Sequence, residues 1–600
     1  MSADRVPRRP RRGQSRLGRA LRAGAAAASL VLLGACASMP GSGKVEDVTR
    51  GNESQAEDQP VRVFGVPPQR DESPKNLVDG FLEAVTSDEP EYQTARKYLT
   101  PEAAARWNPT SGIKVVESFP GTISHPVAPE GAAATVVDVT GQQVASVDGE
   151  MAYQPSPAQL AETFELRRNG DGQWRIDKLP DGLLLSRADF RRIYKSVSLY
   201  WYASPWNTPL LVPDPIYLRS RVTPTTTLVE KLLKGPTRWL SPVVRSSFPL
   251  NTSLVDRAVN VDDTGAVSIQ LSDEAKQAPA AQCLEMASQV LYTLGQVTKV
   301  ESVELTTHRG PKLCSQSKQG AQQFDPALPQ TTPVGYYVAK GAVNSLAANS
   351  TQPAPLPGPF GDGSLKLSEI AVARQGRQIA GIDQSDTTLY VGLLDSVAGV
   401  EERAKAGYGR TFLSPTWDGR GGLWTVERNS SSGATRVLWV DKEGTIPVTL
   451  EGFGESKVTG LRISPDGTRA ALLLDERHLV IGRVIRGVDP VRKVVSTVTI
   501  DAPRVLLPSL VSAKSVSWNG ANRLVVLGTQ EQGSMQPQFV DVDGGNTVGI
   551  AAVSGIEAIA APDGADQPLL ARSSDRNIYR LEPGNTWKAI REGEYPTYPG

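Results

Sequence analysis

Between residues 73 and 85 the apolar side chains fall at Leu77, Val78, Phe81, Leu82 and Val85, one stripe of a 3.6-residue repeat. Ser73-Pro74 stands before them as an N-cap with proline at the first helical position. A second helical stretch carries Tyr98, Leu99 and Trp107. The period then drops to two, and strands are expected at 113–117, 132–140, 143–148, 163–168 and 174–179. Helices first and an antiparallel sheet afterwards define an α+β part over residues 61–192.

A second α+β part spans 193–314. A strand is expected at 197–202. A short helix follows, capped by Thr223-Pro224, with Leu228, Leu232 and Leu233 on its inner face and Gly235-Pro236 as its stop. Strands at 253–261 and 266–271 flank the turn Asp262-Asp263-Thr264-Gly265. A longer helix places Leu284, Ala287, Leu291 and Leu294 on one side, and a final strand covers 298–306. Residues 315–334, rich in Gln, Ser, Thr and Pro, show no period and read as a linker. A second such stretch covers 347–359.

Residues 335–600 repeat. The turns Gln375-Gly376, Asp418-Gly419, Asp466-Gly467, Asn519-Gly520 and Asp563-Gly564 recur at intervals of 43 to 53 residues. After each turn comes an apolar strand such as 469–474 or 523–527. A polar turn and another strand follow, as at 388–394, 436–440, 478–484, 538–542 and 577–581. A period near 45 residues made of four short strands is that of a β-propeller blade. Five blades are plain, and 335–346 supplies strands that could close the ring with the C-terminal segment, so five or six are expected. Taken singly, each Asp-Gly is only a tight turn.

The N-terminus changes the picture more than the composition does. Eight arginines and one acid precede Cys36, so the formal net charge of +0 becomes −7 once residues 1–35 are set aside. The apolar run 23–33 has about eleven residues against the roughly twenty of a membrane span. It fits a signal-peptide core behind a cationic segment. Leu33-Gly34-Ala35-Cys36 resembles the bacterial lipobox, which implies a signal peptide over 1–35, lipid attachment at Cys36 and a flexible polar tether over 36–60.

Charge balance gives no reason to expect nucleic acid as a partner. Gly 55 and Pro 45 suit turn-rich β structure. His125, His308 and His478 lie in three different parts, and neither a nucleophile elbow nor a His-Glu-x-x-His pair is present. Asp541-Val542-Asp543-Gly544 lacks the later ligands of a calcium loop and reads as a turn. No catalytic residue, metal ligand or cofactor is nominated, and the chain is expected not to be an enzyme. Beyond Cys36 two cysteines remain, Cys283 near the start of a helix and Cys314 just past the strand that should run back along it. A disulfide and two free thiols are both open.

Leu232-Leu233-Lys234-Gly235-Pro236, Val267-Ser268-Ile269-Gln270-Leu271-Ser272 and Leu291-Tyr292-Thr293-Leu294 before Val300-Glu301-Ser302-Val303 resemble the GerMN domain of spore-germination proteins and bacterial lipoproteins. His308-Arg309-Gly310 departs from the Asp-Gly turn that often ends that domain. The first part resembles NTF2-like cone domains, and Ser464-Pro465-Asp466-Gly467 resembles TolB-type propeller repeats. Lipobox, cone-like part, GerMN-like part and propeller, in that order, resemble the actinobacterial LpqB lipoprotein family. That resemblance implies an accessory protein of the MtrA–MtrB two-component system, anchored at the outer face of the cell membrane. Its partner would be the extracytoplasmic domain of the MtrB-like sensor histidine kinase, with effects on envelope homeostasis and division. An envelope glycan or peptide binder is the alternative, and a hydrolase a more distant one.

Overall fold

A computed structural model describes residues 64–600 apart from 120–121, 126–130, 206–208, 221–223, 309, 311, 326–333, 348–349, 351, 375–376, 398, 532 and 565–566. The signal, Cys36, the tether, Thr223 and the Gln375-Gly376 turn lie outside the described residues.

Ser73 caps the helix Pro74–Ala84, its Oγ accepting from the Asn76 N–H at 3.2 Å. The buried face of that helix puts Phe81 edge-on to Trp107 at 5.3 Å and to Phe164 at 6.2 Å. The sheet above it runs Trp174–Lys178, Tyr153–Arg168, Ala134–Val147, Ile113–Val116, Leu183–Ser186, with Thr122–His125 beside Ala134–Val147. The expected strands 132–140 and 143–148 are one strand, because Gly141 pairs with Leu160 inside the ladder and a bulge between Gln143 and Ala145 absorbs the irregular pattern. Leu183–Ser186 pairs parallel to Ile113–Val116, so the sheet is mixed. Phe81, Trp107 and Phe164 pack beneath the sheet and line a cavity of about 20 Å³.

In the second part Ala266–Leu271 and Ser302–Thr307 pair in parallel, joined through the helix Ala280–Leu294. Tyr194–Ala203, Leu211–Arg219 and Val244–Arg245 form a second small sheet. The strand expected at 253–261 reduces to two bridges, Leu254 to Leu271 and Val261 to Val267. Side chains satisfy the backbone there instead of a ladder. The Gln270 N–H donates to Asp256 Oδ2 at 2.7 Å, and the Val259 N–H to Thr226 Oγ1 at 2.9 Å.

The expected linker 315–334 also needs correction. Lys312–Ser317 is a strand, Lys318–Ala321 a helical turn, and Phe324 is buried edge-on to Tyr202 at 5.6 Å. One phenylalanine in a polar run suffices to dock the segment. In the stretch 347–359, Ala354–Pro355 is a blade's outer strand.

The third part is a six-bladed ring among the described residues. Its innermost strands are Leu367–Val372, Arg410–Trp417, Val458–Ile463, Leu510–Trp518, Ile556–Ala560 and Glu594–Thr597. Each contacts the next, and Glu594–Thr597 touches both Leu367–Val372 and Ile556–Ala560. That last strand pairs antiparallel with Val334–Ala339, so the blade that opens the ring is completed by the chain's final strand.

Val63–Gly600 form one compact unit. The fourth blade of the ring (Val458–Ile463, Arg469–Leu474, His478–Val488 and Val495–Val505) carries an overlong hairpin: its last two strands have 11 residues each, against six for the third strand of the neighbouring blades. This hairpin seats the propeller on the second part. Ile485 packs into the second part's core. Arg483, held by the Asp501 carboxylate at 2.8 and 2.6 Å, donates to the Trp239 carbonyl at 2.8 Å. Trp239 Nε1 donates to the Ala502 carbonyl at 3.0 Å, and the Arg504 guanidinium lies 4.7 Å over its ring. Arg469 donates to the Pro213 carbonyl at 3.2 Å.

The turn around Asp543 completes the junction against Tyr153 and Tyr217. Burial pushes the Asp543 carboxyl up to about 6. The Gly545 N–H and the Tyr217 hydroxyl oppose that shift, and Asp541 adds to it. A carboxyl raised above its unfolded value contributes stability that is complete below about pH 4 and lost as pH rises through about 6. Asp543→Asn keeps the Oδ1 acceptor for Gly545. It is expected to leave stability unchanged at pH 4 and to raise it by roughly 1–3 kcal/mol at pH 7. Thermal midpoints of both chains from pH 4 to 7 check this, and parallel profiles would contradict it.

Candidate functional site: the propeller channel

All six innermost strands carry a bulge or register shift beside the channel. The breaks fall at Leu367/Glu369, Leu413/Thr416, Val458/Gly460, Ala513/Ser515 and Ile556/Ala558, and at Tyr336/Val338 opposite Glu594–Thr597. A bulge re-aims a side chain that the alternation of a strand would otherwise fix. Here the re-aimed residues are polar.

Ser414 and Tyr595 adopt positive φ, +55° and +49°, which is uncommon for residues with a Cβ. The bend turns the Ser414 N–H onto Glu369 Oε2 at 2.7 Å. Ser414 Oγ accepts from the Leu461 N–H at 2.9 Å and from Arg462 Nη1 at 2.9 Å. Arg462 Nη1 also donates to the Leu461 carbonyl at 2.7 Å, and Nη2 donates to Tyr595 Oη at 3.3 Å. Val458–Ile463 and Glu594–Thr597 face each other across the ring, so Arg462 bars the channel. On one side lies a chamber of about 160 Å³, walled by Glu369, Ser414, Lys514 and Tyr595. On the other side lies one of about 40 Å³ beside Trp518 and Tyr598.

Burial pushes the Glu369 carboxyl up, against the pull of the Ser414 N–H, Tyr595 and Arg462. Burial and the neighbouring Glu369 push the Tyr595 phenol up as well.

The Asp-Gly turns ring one mouth of this channel and tie blade to blade. Asp418 accepts from Trp424 Nε1 at 3.0 Å and from Arg486 of the next blade at 2.7 Å, both buried. Asp466 Oδ2 meets Arg469 at 2.5 Å, and Arg469 also donates to the Ala521 carbonyl of the following blade at 2.9 Å. Asn519 Nδ2 donates to the Pro562 carbonyl at 2.6 Å, and Asp563 pairs with Arg374 at 2.6 Å. Among the described turn glycines, Gly467 and Gly520 adopt the positive φ that glycine allows, at +74° and +71°. The repeated turns therefore do more than reverse the chain: Asp418, Asp466 and Asn519 join neighbouring blades, and the Asp563–Arg374 pair reaches across the blade that closes the ring.

Cys283 and Cys314 are joined in a disulfide with their Cα atoms 6.1 Å apart. It ties the start of the helix Ala280–Leu294 to the strand Lys312–Ser317. His308 is exposed, with its ring nitrogen 3.5 Å from Gln270. Among the described residues no group of three His, Cys, Asp or Glu is placed to hold a metal, and no helix is long and apolar enough to cross a membrane.

The sequence alone nominates none of the channel residues. A signal was present: a polar residue five to seven positions before the turn glycine recurs at Glu369, Ser414, Arg462 and Lys514. An alternating strand hides it, because only the bulge decides whether such a residue faces the channel.

The chain matches three family descriptions in succession. They are "Lipoprotein LpqB, N-terminal domain" over residues 67–191, "Sporulation and spore germination" over 198–308, and "Lipoprotein LpqB beta-propeller domain" over 341–599. The first description names no NTF2-like cone. A lipoprotein LpqB of Streptomyces coelicolor is 39% identical over 606 residues, covering 96% of this chain and 97% of that one. Among solved structures, the first GerMN domain of the Bacillus subtilis sporulation protein GerM is 18% identical, covering 21% of this chain and 98% of that one, with a TM-score of 0.18. A puromycin-hydrolyzing peptidase of Mycobacterium tuberculosis is 11% identical over 43% of this chain and 46% of its own, with a TM-score of 0.29. With 39% identity along nearly its whole length and two LpqB-specific domains in order, this chain belongs to the LpqB lipoprotein family.

Proposed function

We propose that the chain is a non-enzymatic accessory protein, acylated at Cys36 and held at the outer face of the cell membrane. There it binds and modulates the extracytoplasmic domain of an MtrB-like sensor histidine kinase of a two-component system. The observation that carries this reading is the locked junction of the three parts. A body braced by Arg469, Arg483 and Trp239 can transmit a contact made on one part to the others without a hinge absorbing it. Membership of a lipoprotein family supports the anchor. Confining both partners to one membrane raises their effective concentration, so a weak pairwise contact is sufficient.

Cys36→Ser removes the acceptor thiol. The variant is expected to stay unprocessed or to leave the membrane fraction. In a deletion strain it should restore kinase-dependent reporter output poorly, while the wild-type chain restores it fully. Mature-sized Cys36→Ser protein that still fractionates with membranes would overturn the anchor, and full rescue by a released form would overturn the need for it.

A further inference from the structure

The larger channel chamber presents opposite charges on opposite walls. In the ring order, Leu367–Val372 and Leu510–Trp518 are three strands apart, so Glu369 and Lys514 face each other across the channel. They form no ion pair with one another. Lys514 is exposed within the chamber lining and has no hydrogen-bond or ion-pair partner among the described residues. Its three N–H donors point to no protein acceptor.

Arg462, on the strand next to Lys514, forms the floor and is fixed by Ser414, Leu461 and Tyr595. Glu369 is oriented by the Ser414 N–H, and each carboxylate oxygen has lone pairs to spare. The chamber thus has a fixed acceptor on one wall, an unpartnered cation on the other, and a second cation below. Its volume, about 160 Å³, is close to that of a cavity known to admit a benzene ring, which sets the ligand at well under drug size.

We propose that this chamber binds a small zwitterion of the α-amino-acid class, its ammonium on Glu369 and its carboxylate on Lys514 with Arg462 beneath. A lone cation would meet Lys514 and Arg462, and a lone anion would lie opposite the Glu369 carboxyl, which Ser414, Tyr595 and Arg462 already hold. A ligand carrying both charges presents each wall with its complement. Strained positive-φ residues at Ser414 and Tyr595 hold the site before a ligand arrives, which reduces the ordering cost of binding. This site is independent of the kinase reading, since it lies inside the ring and not on a docking surface.

The test is calorimetric titration of the full chain in detergent with glycine, L-alanine and D-alanine, and with acetate and methylammonium as single-charge controls. At least one amino acid should bind saturably, with both controls at least about tenfold weaker. Lys514→Met, at a position with no structural partner, should weaken binding about tenfold or more, as should Glu369→Gln. Should Glu369→Gln lower the thermal midpoint, the Lys514→Met result decides alone. Acetate binding as tightly as the amino acids would replace the zwitterion site by a simple anion site. Absence of saturable binding by all five probes, or unchanged affinity in Lys514→Met, would overturn the proposal.

Discussion

Arg469→Met is expected to destabilise the chain by about 3–5 kcal/mol, the cost of leaving one member of a buried ion pair without its partner. Arg469 and Asp466 are 1% and 0% exposed. Burial alone would raise the Asp466 carboxyl, yet Arg469, Ser464 and Thr468 outweigh it and hold that carboxyl below its usual range. Without the guanidinium the buried charge stays and its main compensation goes. The same substitution removes the bonds to the Ala521 and Pro213 carbonyls, loosening one blade from the next and the propeller from the second part. The paired variant Asp466→Asn with Arg469→Met should recover much of the loss, because Oδ1 still accepts from Ser464 and Thr468 and no buried carboxylate is left without its guanidinium. Denaturant midpoints of wild type, single and paired variants check this. A single variant as stable as wild type would show that the pair is not the brace its burial suggests.

Deletion of residues 594–600 is expected to have the larger effect. Glu594–Thr597 is the innermost strand of the blade that opens the ring, and it touches the innermost strands on both sides. Its loss exposes the edge of Val334–Ala339, opens the ring and removes Tyr595 from the channel. Whole domains are stable by only about 5–15 kcal/mol, so the propeller should fall below its folding threshold. Protease should then digest the chain from about residue 334 onward and leave residues 64–325, which have cores of their own. Trp239, losing Ala502 and Arg504, should report the separation by a red-shifted emission. A truncated propeller that stays soluble and protease-resistant would contradict closure.

Much of this architecture is legible in the residues. Leu77, Val78, Phe81 and Leu82 mark a helix whose apolar face has one burial partner, and the turn glycines set the blade period directly. What stayed hidden depends on contacts distant in sequence. The longest turn-to-turn interval, 53 residues between Gly467 and Gly520, reads as ordinary variation. In the structure it is the overlong hairpin on which the second part sits, and nothing local distinguishes Ile485 or Arg483 as interface residues. Residues 315–325 read as linker because polar composition outweighs one Phe324, whose docking needs Tyr202, more than 100 positions away. The channel stayed hidden for a third reason. Whether Glu369 or Lys514 faces in or out depends on a one-residue bulge, and period-two reasoning has no term for it.

The anchored, braced chain is expected to contact a kinase's outer domain. The direct measurement is site-specific crosslinking and equilibrium binding between the full lipidated chain and the extracytoplasmic domain of the co-resident MtrB-like kinase, both displayed on one vesicle. Saturable binding is predicted, weakened when Cys36→Ser releases the chain to solution and weakened again by Arg469→Met, which leaves the anchor in place but loosens the body. No binding on a shared membrane, together with unchanged kinase reporter output in the deletion strain, would contradict it.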